Sequence, residues 1–349
     1  MRVLITGITG FVGSHLAEYL LSINESEKVI IDLFGTAKQC DPLENISGIK
    51  DKITFIKDWD IRHAGSCDRA IEVSMPDYIF HLVSQKPWPA AKYPLAELEI
   101  NTLGTARMFE AVNRLGLHPV IILAGCGEEY GCPPLVELRH NEYGFMEKDT
   151  KPAWRINHTP AKVLKLPVTE DFSLNPMSIY GVSKAAQDML GFAYYKEYGM
   201  KIIRTRAFDI SGPRDESSVA SYIARQMVEI ERGYCKSILK VGSLDIKKDF
   251  TDVRDVVKAY WLAATRCKFG EAYNICSGKA RSVQTVIDTL RLQSGAQFDI
   301  AQDKTLMKAS DVPVLEGDRG KFTRQTGWEP KIGFAKTMGD LLDYWRGRI

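Results

Sequence analysis

Tyr180 and Lys184 stand four residues apart in Tyr180-Gly-Val-Ser-Lys184. On a helix that spacing puts a phenol and an ammonium on one face, one turn apart. A phenol is a poor base at its usual pKa of about 10. A nearby ammonium, or a positively charged nicotinamide ring, favours the phenolate and lowers that value. Such a pair can move the proton of an alcohol while a hydride passes to or from a dinucleotide. Lys184 is also placed to reach the nicotinamide ribose. Tyr-x-x-x-Lys arises often by chance, so its weight depends on its surroundings.

The start of the chain supplies those surroundings. A buried-strand run, Val3-Leu-Ile-Thr, leads into Gly7-Ile-Thr-Gly10-Phe11-Val12-Gly13 and then into a helical stretch. Glycine permits positive φ and lets backbone N–H groups approach a pyrophosphate at the helix N-terminus. Gly7, Gly10, Phe11, Val12 and Gly13 are therefore expected to hold a dinucleotide. Asp32 reads as standing at the end of the second strand, about 20 residues beyond the glycines, where a carboxylate accepts from the ribose 2′-OH and repels a 2′-phosphate. This predicts NAD in preference to NADP, with Lys38 nearby to soften the preference. Asp60, after the third strand, is an expected adenine contact.

The positioning elements follow from the apolar pattern. Residues 2–6, 29–33, 53–56, 78–83, 120–124 and 201–206 read as buried strands of a parallel sheet. Helical patterns occupy 14–22, 102–115 and 183–198. The alternation predicts an α/β fold, a doubly wound Rossmann sheet with right-handed crossovers. Later helical patterns at 219–232, 253–265, 283–294 and 334–346 predict a smaller mixed α/β C-terminal substrate domain. Residues 271–276 read as a return to the main sheet. The expected division is 1–210 plus about 245–280 for the dinucleotide domain, and 211–244 plus 281–349 for the substrate domain. Residues 132–171, rich in Pro and charge, read as an insertion: a surface elaboration, a substrate lid or an interface element.

Composition narrows the class. The chain has 349 residues, 45% hydrophobic and 26% charged, with net charge +2. That is the balance of a globular protein and gives no reason to expect nucleic acid or an anionic membrane as partner. No apolar run approaches the roughly 20 residues that span a bilayer. A strand at residue 2 leaves no room for a signal peptide, and the seven cysteines show no CxxC pair or Cys/His cluster. A reducing, cytoplasmic setting and no bound metal are expected.

Further motifs join the first two: Pro76-Asp-Tyr-Ile-Phe-His-Leu-Val-Ser84, Asn101-Thr-Leu-Gly-Thr105, Gly127-Glu-Glu-Tyr-Gly131 and Asp249-Phe-Thr-Asp-Val-Arg-Asp-Val-Val257. With them the chain resembles, over nearly its whole length, the extended short-chain dehydrogenases/reductases of the nucleotide-sugar epimerase, dehydratase and reductase group. Ser183-Lys-Ala-Ala-Gln187, Ser310-Asp-Val-Pro313 and Gly327-Trp328 most resemble GDP-4-keto-6-deoxymannose reductases, with GDP-mannose 4,6-dehydratases as close cousins.

The resemblance implies roles. Tyr180 takes a proton from a sugar hydroxyl, usually at C4. Cys126 aligns with the Ser/Thr that hydrogen-bonds the reacting oxygen. Glu128 aligns with the glutamate that removes the C5 proton in dehydratases. An acid often precedes that glutamate, and here the position is Gly127. The resemblance adds cofactor contacts from Ile61, Leu82, Ser84 and Asn101. It implies substrate contacts from Ser84, Cys126, Gly127, Glu128, Asp209, Lys248 and Lys308. Asp209 replaces a usual Asn, and Lys248 and Lys308 replace arginines, so a point charge stands where a bidentate fork is common.

The function expected from Asp32 and Glu128 is a dehydratase that recycles NAD. It oxidises C4, removes the C5 proton and releases water from C6, with Cys126, at its ordinary pKa near 8.5, as an acid. A 4-ketosugar reductase, a C4 epimerase and a non-catalytic nucleotide-binding protein are the alternatives. A homodimer built on helices 102–115 and 183–198 is implied. His81 is expected to be a packed histidine, 192–198 helix packing, and Arg254 with Asp255 a structural or binding turn.

Overall fold

The computed structural model describes residues 1–27, 30–38, 41–85, 94–137, 162–307 and 310–349. Its main sheet has seven strands. Five come first in the chain: β1 (Arg2–Thr6), β2 (Asp32–Thr36), β3 (Ile53–Ile56), β4 (Tyr78–His81) and β5 (Val120–Cys126). The strands Lys201–Ala207 and Ala272–Ile275 complete it, in the order Ala272–Ile275, Lys201–Ala207, β5, β4, β1, β2, β3. Every pairing is parallel. Strand order reverses between β1 and β4, and in open α/β sheets that switch point opens the ligand crevice.

Both faces of this sheet are covered, which is why its strands are apolar without alternation. On one face Val3, Ile5, Phe80 and Ile203 pack on α1 (Phe11–Glu27) and on the helix Val253–Arg266. On the other, Leu4, Ile79, Ile121 and Ile202 pack on α2 (Ala64–Ser74), on α4 (Gly104–Arg114) and on the start and end of that layer. The short α3 (Pro94–Glu97) runs through a π turn at Leu98–Leu103 into α4. The long α5 (Ile179–Tyr198) lies beside them.

One strand differs from its sequence reading. The second strand was expected at 29–33 and runs Asp32–Thr36. Its inner residues include Gly35 and Thr36, which carry no hydrophobic signal. Gly35 is required by packing, since a Cβ there would lie 2.5 Å from the Ile8 side chain.

The smaller unit has its own core of Ile223, Met227, Leu239, Phe250, Val286, Leu290, Met338 and Leu342. Its central strand Lys247–Asp252 pairs antiparallel with Ala280–Ser282 and parallel with Asp209–Ser211 and Val314–Leu315. Within the expected insertion, Leu135–Glu137 pairs antiparallel with Lys162–Leu164. Residues 138–161 lie outside the described residues, and so does most of the lid reading. The chain then returns against the smaller unit, where Val168 N–H donates to the Glu316 carbonyl (2.7 Å) and Asp318 N–H to the Val168 carbonyl (2.8 Å). No described helix is long and apolar enough to cross a membrane.

Candidate active site

The glycine turn follows β1 directly. Gly7 has φ +72°, and its N–H donates to Thr36 Oγ1 at 3.2 Å. Gly10 N–H donates to the Gly7 carbonyl (3.1 Å) and Ser14 N–H to the Gly10 carbonyl (3.0 Å), which launches α1. A Cβ on Gly13 would sit 2.3 Å from the Gly7 oxygen, so helix and turn meet more closely than any side chain allows. A Cβ on Gly10 would meet only the Gly7 oxygen, leaving the space above the turn open. This cradle, at the N-terminus of α1, fits a dinucleotide pyrophosphate. Gly13→Ala should weaken dinucleotide binding by about tenfold or more, because overpacking here moves the cradle itself. A fluorescence titration with reduced dinucleotide checks this, and unchanged affinity would show that the turn is not the binding element.

Across the crevice Thr6 Oγ1 accepts from the N–H groups of Leu82 (3.0 Å) and Val83 (3.2 Å). His81 is a packed histidine, between Thr6 Oγ1 (3.1 Å) and Thr105 Oγ1 (3.0 Å). Burial pushes its pKa down to about 3, so it stays neutral. Asn101 joins the segment after β4 to α5: it bonds both backbone groups of Gln85 and the Ser183 hydroxyl. Ile61 is buried beneath Gly104, where a Cβ would come within 2.9 Å of it.

Asp32 does not stand where the sequence reading placed it. It pairs with Arg2 at the first rung of β1 and β2, and its N–H bonds the Met1 carbonyl. That is the sheet edge opposite the glycine turn, so it cannot meet the adenosine ribose. The residue ending β2 is Thr36, buried and bonded to Gly7. Next come buried Ala37 and exposed Lys38. Asp60 is at the correct edge, but its carboxylate is gripped by Arg62 through Nε (3.0 Å) and Nη2 (2.6 Å). That grip holds its pKa down to about 2.

Tyr180 lies in the first turn of α5, which Ser178 caps by accepting from Gly181 N–H at 2.9 Å. Ser84 and Cys126 both lie against the Tyr180 hydroxyl. Ser84 Oγ is buried and closes no well-formed hydrogen bond among the described residues. Lys184 is buried, with its ammonium donating to the Ala124 carbonyl and to Gln187 Oε1. The expected lowering of the tyrosine pKa is absent. Burial, then Cys126 and Glu128, push it well above its ordinary value. The phenol is therefore a proton donor as it stands. Cys126 is shifted likewise: burial, then Glu129 and Glu128, push its thiol far above the ordinary range, so the sulfur also stays protonated.

Glu128 is exposed at the mouth, where its Oε2 accepts from Ser178 Oγ at 3.2 Å. Gly127 is buried, and a Cβ there would press on the Phe208 ring (3.1 Å) and Leu315 (3.3 Å). Asp209 and Lys248 form an ion pair of 2.9 Å. Lys308 lies outside the described residues.

The sequence reading missed the support behind these groups. Glu129 is fully buried, and its Oε1 accepts from Cys126 N–H at 2.7 Å while its own N–H caps the Cys126 sulfur. Its other oxygen is 3.4 Å from Arg206 Nε. Arg206 also bonds both oxygens of Asp188 (3.0 Å each) and the Tyr130 hydroxyl (2.9 Å). Tyr130 in turn donates to Asn274 (2.7 Å). The available signal was the Cys-x-x-Glu spacing of a reciprocal cap.

The family model described as "NAD dependent epimerase/dehydratase family" matches residues 3–276. The chain belongs to that family. It is an enzyme with a nicotinamide dinucleotide as cofactor. It is similar to the GDP-6-deoxy-D-mannose reductase of Pseudomonas aeruginosa, 26% identical over 100% of this chain and 98% of the relative. It is also similar to GDP-mannose 4,6 dehydratase 1 of Arabidopsis thaliana, 24% identical over 97% and 88%. The structure of RMD from Pseudomonas aeruginosa complexed with NADPH shares its fold, with TM-score 0.76 and 24% identity over all of both chains. Among members of the epimerase/dehydratase family the named reactions thus include reduction, dehydration and epimerisation.

Proposed function

We propose that this enzyme reduces the 4-keto group of a nucleoside-diphosphate sugar. The bound reduced nicotinamide supplies the hydride, and Tyr180 supplies the proton. The observation that carries this reading is the site's complement of acids. Elimination of water needs an acid beside the base Glu128, and the position where such enzymes often carry it is Gly127, which has no side chain. Reduction needs one proton donor at the carbonyl oxygen, and the protonated Tyr180 with Ser84 beside it meets that need. The similarity to a GDP-6-deoxy-D-mannose reductase agrees with it.

The dinucleotide reading shifts as well. With Asp32 at the opposite edge, no carboxylate ends β2 to repel a 2′-phosphate. Lys38 is the first exposed side chain beyond it, so NADPH is the expected reductant. The nearby Asp41 carboxylate accepts from Lys38 N–H (2.8 Å) and the Thr9 hydroxyl (3.4 Å) through Oδ2, and its negative charge works in favour of NAD. A homodimer remains our reading, paired through α4 and α5, with exposed Val182, Met189 and Phe192 on α5 and Leu103 just before α4.

One observation favours loss of water instead: Glu128 stands at the mouth, held by Ser178. Incubation with NADPH and a GDP-4-keto-6-deoxyhexose separates the two. We expect one NADPH consumed per product gaining two hydrogens. A product lighter by one water from a nucleotide hexose, with no net NADPH use, would establish the dehydratase reading.

A further inference from the structure

Lys248 faces Arg281 directly across the antiparallel ladder between Lys247–Asp252 and Ala280–Ser282. Opposed residues of such a pair project from the same face, with Cβ atoms about 4.5–5.5 Å apart. The ring contacts agree. Phe250, two residues beyond Lys248 and so on its face, meets Phe334 at 5.8 Å, and the Arg281 guanidinium lies over that same Phe334 ring at 4.6 Å. Two cations set opposite each other repel, and the arrangement is unfavourable without an anion.

Asp209 answers only one of the two. Lys248 is paired with it at 2.9 Å, and Glu128 and Asp311 also act on the same ammonium. A diphosphate brought to Lys248 would meet three carboxylates. Arg281 has no carboxylate partner among the described residues, and stacking on Phe334 holds its planar fork in place. A guanidinium fork matches phosphate oxygens bidentately, which an ammonium cannot do.

We infer that Arg281, and not Lys248, takes the diphosphate of the substrate. The Asp209–Lys248 pair is then left to meet sugar hydroxyls, one partner accepting and the other donating. This rests on the nucleotide-sugar reading above, and it gives a role to a residue that the motifs did not mark.

The test is calorimetric titration of GDP and of UDP into the full chain loaded with NADPH, for wild type, Arg281→Ala, Arg281→Lys and Lys248→Ala. Arg281→Ala should weaken the nucleoside diphosphate that binds by about tenfold or more. Arg281→Lys should recover only part of that loss, and Lys248→Ala should change affinity by less than about threefold. NADPH affinity and Tm of the Arg281 variants should match wild type, which separates lost contact from lost fold. Wild-type affinity in Arg281→Ala would overturn the inference, and so would failure of the wild type to bind either probe. A chain that binds GDP through Arg281 yet reduces no 4-keto sugar would leave the inference standing and sink the reductase reading.

Discussion

Tyr180→Phe should lower kcat by roughly 10²–10⁴-fold, the range of a lost general acid, with dinucleotide affinity unchanged. The phenol lies at the junction of Ser84 and Cys126, where burial keeps both the phenol and the thiol protonated. The ring itself stays in place because Ser178 caps its helix and Asn101 ties Ser183 to the β4 side. Phe keeps that packing and removes only the hydroxyl. Single-turnover reduction followed by loss of nicotinamide absorbance measures the effect. Activity within a few fold of wild type would end the assignment of Tyr180 as the acid. Cys126→Ser is the useful companion. Serine keeps a hydrogen-bond donor where the thiol stands, so turnover should persist.

Arg206→Ala should be the most destabilising single change near the site. It strips Asp188 of two bonds, Glu129 of its cationic neighbour at 3.4 Å and Tyr130 of a donor, all in the interior. Breaking a buried ion pair costs about 3–5 kcal/mol, and with Arg204 still paired to Asp188 the loss falls at the low end, on the order of 10 °C in Tm or less for a chain of this size. The same cluster predicts a pH effect. Burial raises the Glu129 pKa from 4.5 to about 8. Between those values the folded chain holds a proton that the unfolded chain releases, so its contribution to stability is lost as pH rises from about 5 to about 8. Glu129→Gln keeps the acceptor for Cys126 N–H and removes the titration. Its Tm should decline less steeply across that window, and an identical slope in both proteins would assign the pH dependence elsewhere.

What the sequence revealed follows the range of each interaction. The glycine turn and the Tyr180/Lys184 pair are local patterns, and both lie at the switch point of the predicted sheet. The return of residues 272–275 to that sheet was also legible, because a buried strand is a run of apolar residues. β2 was misplaced because its inner residues, Gly35 and Thr36, are chosen by Ile8 and Gly7 rather than by hydrophobicity. That shift of three residues moved Asp32 to the wrong edge and took the argument for NAD with it. The protonation states of Tyr180 and Cys126 were illegible for another reason. Reference values give the sign only when the dominant neighbour is known, and here the dominant effect is burial by the rest of the fold. Glu129 was hidden because its partners, Arg206 and Asp188, come from a distant strand and helix.

The bridge at Val168 has a mechanical meaning. The chain leaves the catalytic turn at Tyr130, pairs with itself at 135–137 and 162–164, and is then fastened to 316–318 by two backbone hydrogen bonds. From the same direction Asp249 of the smaller unit accepts from Ser277, Gly278 and Gly317 backbone N–H groups. Pulling the smaller unit away from the dinucleotide side would load all of these bonds together. The segment is therefore a tether in parallel with the main crossover. It ties the turn that carries Glu128 to residues 316–318 through the main chain itself.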